Sequence, residues 1–232
     1  MFDFSWQSIV AGLPGLIIAL VIHEYAHARV AVAMGDFTPK MMGRLTLNPK
    51  AHIDPIGLVM LFLVRFGWAK PVMINPRNFR DPKKGDILVS LAGPAANLIT
   101  AFAALVVWLV LLKMGYGHST GVTMVFQLIV IYNINFAIFN MIPLPPLDGS
   151  HILKYLLPSD LAYKFVQLER YSFLILIVLI WTPILHLIFV PAQRIIWDVF
   201  IAVLSPFFRA WKRQSLRAIL CIWRPLRGPW TC

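Results

Sequence analysis

Residues 8–34 read SIVAGLPGLIIALVIHEYAHARVAVAM. The stretch is apolar almost throughout and exceeds the roughly 20 residues that an α-helix needs to cross a bilayer. Gly35-Asp36 follows it, where a turn is expected. Within the span, away from its ends, stands the polar cluster His23-Glu24-Tyr25-Ala26-His27. Charge at that depth is costly, since insertion scales place a central Asp, Lys or Arg at about 2.5 to 3.5 kcal/mol. Polar residues kept there mark a functional site; an interhelical hydrogen-bond cluster is the structural alternative.

The rest of the chain agrees with a membrane reading. Of 232 residues, 59% are hydrophobic, above the roughly 45–50% of soluble domains, and the mean hydropathy is +0.74. The expected fold is an all-α polytopic membrane protein, one bundle over residues 1–208 with no water-soluble domain. The formal charge of +11 would suggest nucleic acid in a soluble protein. Here the basic residues lie between apolar segments, where Lys and Arg orient the chain and meet anionic lipid. The lipid bilayer is therefore the expected partner and nucleic acid is not. The cysteines, Cys221 and Cys232, fall in the last dozen residues, which excludes a disulfide framework or a cysteine metal site in the apolar part. Without the basic n-region and cleavage site of a secretory signal, the first span is expected to be retained.

Further along, Phe37 to Pro55 is rich in turn-forming residues, and Arg44 to Leu47 alternate like a short strand, so a small interfacial hairpin or loop is expected. Ile56 to Val64 is apolar but short, more like a re-entrant or interfacial segment than a span. Gly67 to Gly85 carries Lys70, Arg77, Arg80, Lys83 and Lys84, with Pro71, Pro76 and Pro82 opposing helix, and should face the cytoplasm. The next spans are Asp86 to Leu112 and Val122 to Ile142, the latter stopped by Pro143, Pro145 and Pro146. Phe173 to Val190 and Ile195 to Phe208, separated by Pro191 and Arg194, are expected to form a hairpin, which gives four to six spans. The basic, Trp-rich tail 209–232 reads as an interfacial segment or as sequence from a shifted frame, and carries no functional weight here.

The i, i+4 spacing of His23 and His27 places both imidazoles on one helix face, about 6 Å apart along the axis. Two such ligands can grip one ion. Glu24, one step around the helix, would sit beside the metal without binding it, placed to take a proton from a metal-bound water and pass it to the leaving amine. This is the H-E-x-x-H arrangement of zinc proteases. Catalytic zinc takes three protein ligands and an open position, so a third must come from elsewhere. Asp148 is the candidate, because it ends a proline-rich run whose irregular backbone is tolerated at membrane depth only where it lines a cavity or is buried. With Asp148 and Glu24 both negative, a divalent ion would leave the site formally neutral. Asp36, Asp54 and Asp86 are rival carboxylates at helix or loop boundaries, and His151 is a rival ligand. His52 could gate or line the water path, but a lone interfacial histidine is more often incidental.

Three motifs together resemble the site-2 proteases, the intramembrane zinc metalloproteases: His23-Glu24-x-x-His27, Gly93-Pro94-Ala95-Ala96-Asn97, and Asn140-x-x-Pro143-x-Pro145-Pro146-Leu147-Asp148-Gly149. The intervening Gly67-Trp68-Ala69-Lys70-Pro71-Val72 and Asn75-Pro76-Arg77-Asn78-Phe79 look like the small bacterial members that carry neither a PDZ nor a CBS domain. The resemblance implies a three-helix catalytic core, one catalytic Zn2+ held by His23, His27 and Asp148, and Glu24 as general base and acid. It also implies a membrane-protein substrate and a multi-pass chain in a bacterial plasma membrane. Asn97 and Asn140 match motif positions and would position the substrate strand; an amide on a membrane helix can equally be an interhelical tie.

Two other functions use the same residues. A non-proteolytic zinc-binding scaffold would have no need of Glu24. A metal transporter would need further ligands across the membrane, and the sequence offers no such chain.

Overall fold

The computed structural model describes residues 6–57, 60, 69–116 and 119–208. The expectations for Ile56 to Val64 lie largely outside these residues, and those for the tail 209–232 lie wholly outside. Among the described residues four helices, α1 (Trp6–Met34), α3 (Pro82–Lys113), α4 (Thr120–Asn140) and α8 (Ile184–Phe208), are long and apolar enough to cross a membrane. Shorter helices join them: α2 (Thr38–Met41), α5 (Asp148–Leu156), α6 (Ser159–Gln167) and α7 (Ser172–Trp181).

Local chemistry sets the boundaries. Helix α1 ends in a Schellman motif: Gly35 takes φ +112°, its N–H bonds the Val32 carbonyl, and the Asp36 N–H bonds that of Ala31. Helix α3 starts four residues before the expected Asp86. Asp81 caps it by accepting from the Lys84 N–H at 3.0 Å, and Pro82 fills the first helical position, where a missing N–H costs nothing. The proline that reads as a helix breaker is here a helix starter.

The C-terminal hairpin is also placed differently. The break falls at Thr182-Pro183, with Thr182 extended (φ −98°, ψ 157°) as a residue before proline prefers. Helix α8 then runs unbroken through Pro191, since spanning helices tolerate an interior proline when neighbours satisfy the freed carbonyl. Arg44 to Leu47 form no strand either. Arg44 is buried, its guanidinium donating to the Ala51 carbonyl, and the stretch is an irregular loop. Among the described residues, β-pairing is limited to one antiparallel bridge, Ile53 with Ala69.

Helices α1, α3 and α4 pack against one another as the central three-helix unit, with α5 against α3 and α8 against α4. Close approach of α1 to α4 rests on Gly15, where a Cβ would lie 3.0 Å from the Ile129 backbone. The largest apolar cluster among the described residues lies between α3, α4 and α8: Leu105, Trp108 and Leu109 meet Val130, Ile134, Trp197 and Phe200. Outward faces carry exposed Ile99, Leu187 and Ile195, as a lipid-facing surface should. Beyond Asn140 the chain turns through a cis Pro145-Pro146 bond, and Ile142 and Leu147 pack on Leu176 of α7. This delivers Asp148 in the first turn of α5.

Candidate metal centre and active site

Both histidines of α1 are buried, at 3% and 6% exposure, with ring centroids 4.5 Å apart. Their Nε2 atoms lie 2.9 Å from each other, and Asp148 Oδ2 lies 3.2 Å from one and 3.4 Å from the other. The three ligand atoms are all within 4.8 Å, so the structure gathers the residues that the sequence singled out.

Proton placement decides what the cluster can hold. His27 Nδ1 is 2.7 Å from the Val89 carbonyl, which can only accept, so Nδ1 carries the hydrogen. His23 Nδ1 is 2.7 Å from Asn97 Oδ1, and the Asn97 amide nitrogen is turned away, donating to the Ala19 carbonyl at 2.8 Å. In the neutral rings both Nε2 atoms therefore present lone pairs to the same point. Asp148 Oδ2, buried there, has no hydrogen-bond partner. Three converging lone pairs repel unless a cation lies among them. Two imidazole nitrogens and one carboxylate oxygen form a donor set suited to catalytic zinc, so these residues fit that ion.

Gly93 of α3 explains how α3 comes so near. A Cβ there would stand 2.5 Å from both His23 Cε1 and His27 Nε2. The His23 ring is also braced by Phe136 of α4, edge to face at 4.9 Å.

Glu24 is half-buried and outside the ligand cluster. Its Oε2 accepts from the Val72 N–H at 2.9 Å. Val72 belongs to the segment Lys70–Asn75, which is fastened at both ends. Lys70 N–H bonds the His52 carbonyl at 2.9 Å, and Asn75 N–H bonds Asp36 Oδ2 at 2.7 Å. His52, read from sequence as incidental, is fully buried, its Nε2 2.8 Å from the Thr46 carbonyl.

The rival ligands are engaged elsewhere. Asp36, fully buried, also accepts from Thr38 and from Asn78 Nδ2. Asp54 caps a turn by accepting from the N–H groups of Ile56 and Gly57. Asp86 is buried at the start of α3 and pairs with His151 Nδ1 at 3.2 Å and Lys154 Nζ at 3.7 Å, tying α5 to α3. The hydrogen bond to Asp86 raises the His151 pKa against the opposing effect of burial, so this tie weakens as pH rises through that raised value.

Asn97 is fully buried and spends both amide hydrogens on Ala19 and Asn133, leaving none for a substrate. Asn140 donates to the Phe136 carbonyl of its own helix at 2.9 Å, and its oxygen has no hydrogen-bond partner among the described residues. Sequence reading missed Asn133, fully buried beside Asn97. The available signal was an amide in the middle of an apolar span.

Asp36 gives a direct test of the fastened segment. Burial alone would raise its pKa, but the N–H of Asn75 and the groups of Thr38 and Asn78 outweigh that and hold it below the ordinary carboxylate value. A depressed folded pKa means stability present above about pH 3.9 and lost as pH falls through the folded value. Asp36→Asn should cost about 1–3 kcal/mol, flatten the acid-side fall in melting temperature, and speed hydrogen exchange at Val72 and Asn75. Unchanged exchange at both amides would show that Asp36 does not hold the segment.

Comparison with known proteins places the chain among relatives. The model of peptidase family M50 matches residues 109–182. YwhC of Bacillus subtilis (strain 168) is 39% identical over 217 residues, covering 91% of each chain. Rip2 of Mycolicibacterium smegmatis is 30% identical over 192 residues, covering 75% of this chain and 68% of its own. Both carry zinc metalloprotease in their names. Stage IV sporulation protein FB of Bacillus subtilis is 26% identical over 207 residues, covering 85% of this chain and 68% of its own. No solved structure gives a significant match.

Proposed function

This chain belongs to peptidase family M50 and is an integral membrane zinc metalloprotease of the site-2 protease type; on that premise we propose that it cuts peptide bonds of transmembrane or membrane-associated substrates. His23, His27 and Asp148 hold the zinc, and Glu24 is the general base and acid. The observation that carries this reading is the convergence of three lone-pair atoms, two of them on a spanning helix, with Glu24 beside them and outside the set.

Bound zinc supplies Lewis acidity, which lowers the pKa of water toward about 7 and polarises a carbonyl. The chain's own groups do the rest. Glu24, its carboxylate oriented by the Val72 N–H, takes the proton of the attacking water. It then delivers that proton to the nitrogen of the leaving amine, so base and acid are one group in two steps. Asp148 and Glu24 offset the charge of a divalent ion, which makes burial of the site bearable. Asn140, whose amide oxygen has no hydrogen-bond partner among the described residues and which stands just before the proline-rich turn, positions the substrate strand.

A membrane helix hides its carbonyls in its own hydrogen bonds, so the substrate must unwind locally before it is cut. Arg44 to Leu47 form no strand and so offer the unwound substrate no edge to pair with. The basic residues around Lys83 and Lys84 belong on the cytoplasmic side by the positive-inside rule. A bacterial plasma membrane fits, since the relatives named above come from bacteria.

The test is cleavage by the full chain in detergent of a panel of single-span proteins, beside soluble peptides copied from their loops. Zinc-dependent cuts within or beside the span are expected. Equal cutting of the soluble peptides would overturn the membrane-substrate reading.

A further inference from the structure

A chain of buried amides runs from α4 through α3 to the metal-facing ring on α1. Asn133 and Asn97 are both fully buried, and each is oriented by a main-chain carbonyl, a group that can only accept. Asn133 Nδ2 donates to the Ile129 carbonyl at 2.8 Å, so Asn133 Oδ1 must face the other way, and it accepts from Asn97 Nδ2 at 3.0 Å. The other hydrogen of Asn97 Nδ2 goes to the Ala19 carbonyl at 2.8 Å, so Asn97 Oδ1 must face His23 Nδ1, 2.7 Å away. An acceptor at that place forces His23 Nδ1 to donate. One tautomer remains, with the lone pair on Nε2, the atom beside His27 and Asp148.

We propose that Asn133, acting through Asn97, is a positioning residue for zinc: the two amides fix the tautomer and ring orientation of His23 and so set the affinity of the site. This rests on the reading of His23 as a zinc ligand. Groups that hydrogen-bond the far nitrogen of a ligating histidine govern metal affinity about 10- to 100-fold. His27 obtains the same service from the Val89 carbonyl. The two histidines thus differ: the brace of one is main chain, and that of the other is a side-chain relay open to substitution. Asn97 also grips α1 twice within one turn, at Ala19 and His23, which limits rotation of the ring-bearing segment.

The test measures the zinc dissociation constant of the full-length protein in detergent, by competition with a chromogenic chelator. Asn97→Ala and Asn133→Ala should each weaken zinc about tenfold or more. The double variant should be no weaker than Asn97→Ala alone, because both act in one line. At saturating zinc, Asn133→Ala should recover kcat with KM unchanged. Should Asn133→Ala fail to fold, Asn133→Leu, similar in size and suited to a membrane helix, carries the same expectation.

Wild-type affinity in the Asn133 variant or additive losses in the double variant would each overturn the relay. His23→Ala separates the two levels. If it binds zinc as wild type does, the ligand assignment has failed and the relay falls with it; if it loses zinc while Asn133→Ala does not, only the relay is wrong.

Discussion

Glu24→Gln is expected to abolish cleavage while leaving zinc in place. Glutamine has nearly the same shape and keeps an oxygen that can accept from the Val72 N–H, but it cannot take a proton from water. Loss of a positioned acid–base group costs about 10²- to 10⁴-fold, so turnover should fall by about 10³-fold. Because Glu24 stands outside the cluster of His23, His27 and Asp148, the metal content measured on the purified protein should be unchanged. Residual cleavage within tenfold of wild type would remove Glu24 from the chemistry. Loss of zinc along with activity would make it a ligand instead.

Gly93→Ala is the second substitution with a large expected effect, and by its chemistry alone it ought to be harmless. Alanine in the interior of a helix is favoured over glycine by about 1 kcal/mol. Here the added methyl would stand 2.5 Å from His27 Nε2 and 2.5 Å from Cε1 of the His23 ring. Neither ring can move aside: one is held by Asn97 and Phe136, the other by the Val89 carbonyl. Zinc affinity should fall at least 100-fold and cleavage with it. Retention of tight zinc binding in Gly93→Ala, read by the same chelator competition, would mean that α3 does not approach the imidazoles as closely as described.

These two positions show what the sequence discloses and what it conceals. His23, Glu24 and His27 were legible because helical periodicity alone places them on adjacent faces of one helix. Asp148 could be nominated because a carboxylate after a proline-rich run has few other reasons to lie at membrane depth. The long spans were legible from length and apolarity. What stayed hidden depends on contacts between distant segments. Val72 meets Glu24 through a peptide N–H, which no residue identity announces. Asn97 and Asn133 become informative only when α3 and α4 are seen side by side. Pro82 and Pro191 misled because the same ring starts one helix, at Pro82, and is absorbed inside another, at Pro191. Of the hairpin or loop expected around Arg44 to Leu47, the loop is found, with the Arg44 side chain turned inward to the Ala51 carbonyl.

The hydrogen bond between Val72 and Glu24 has an evolutionary side. Every residue except proline supplies a main-chain N–H, so the grip on the carboxylate does not depend on which side chains the segment carries. Lys70 and Met73, both exposed beside that contact, are free to vary in size and charge without disturbing it. A lineage could therefore retune what lies against this segment while the reaction itself is inherited unchanged.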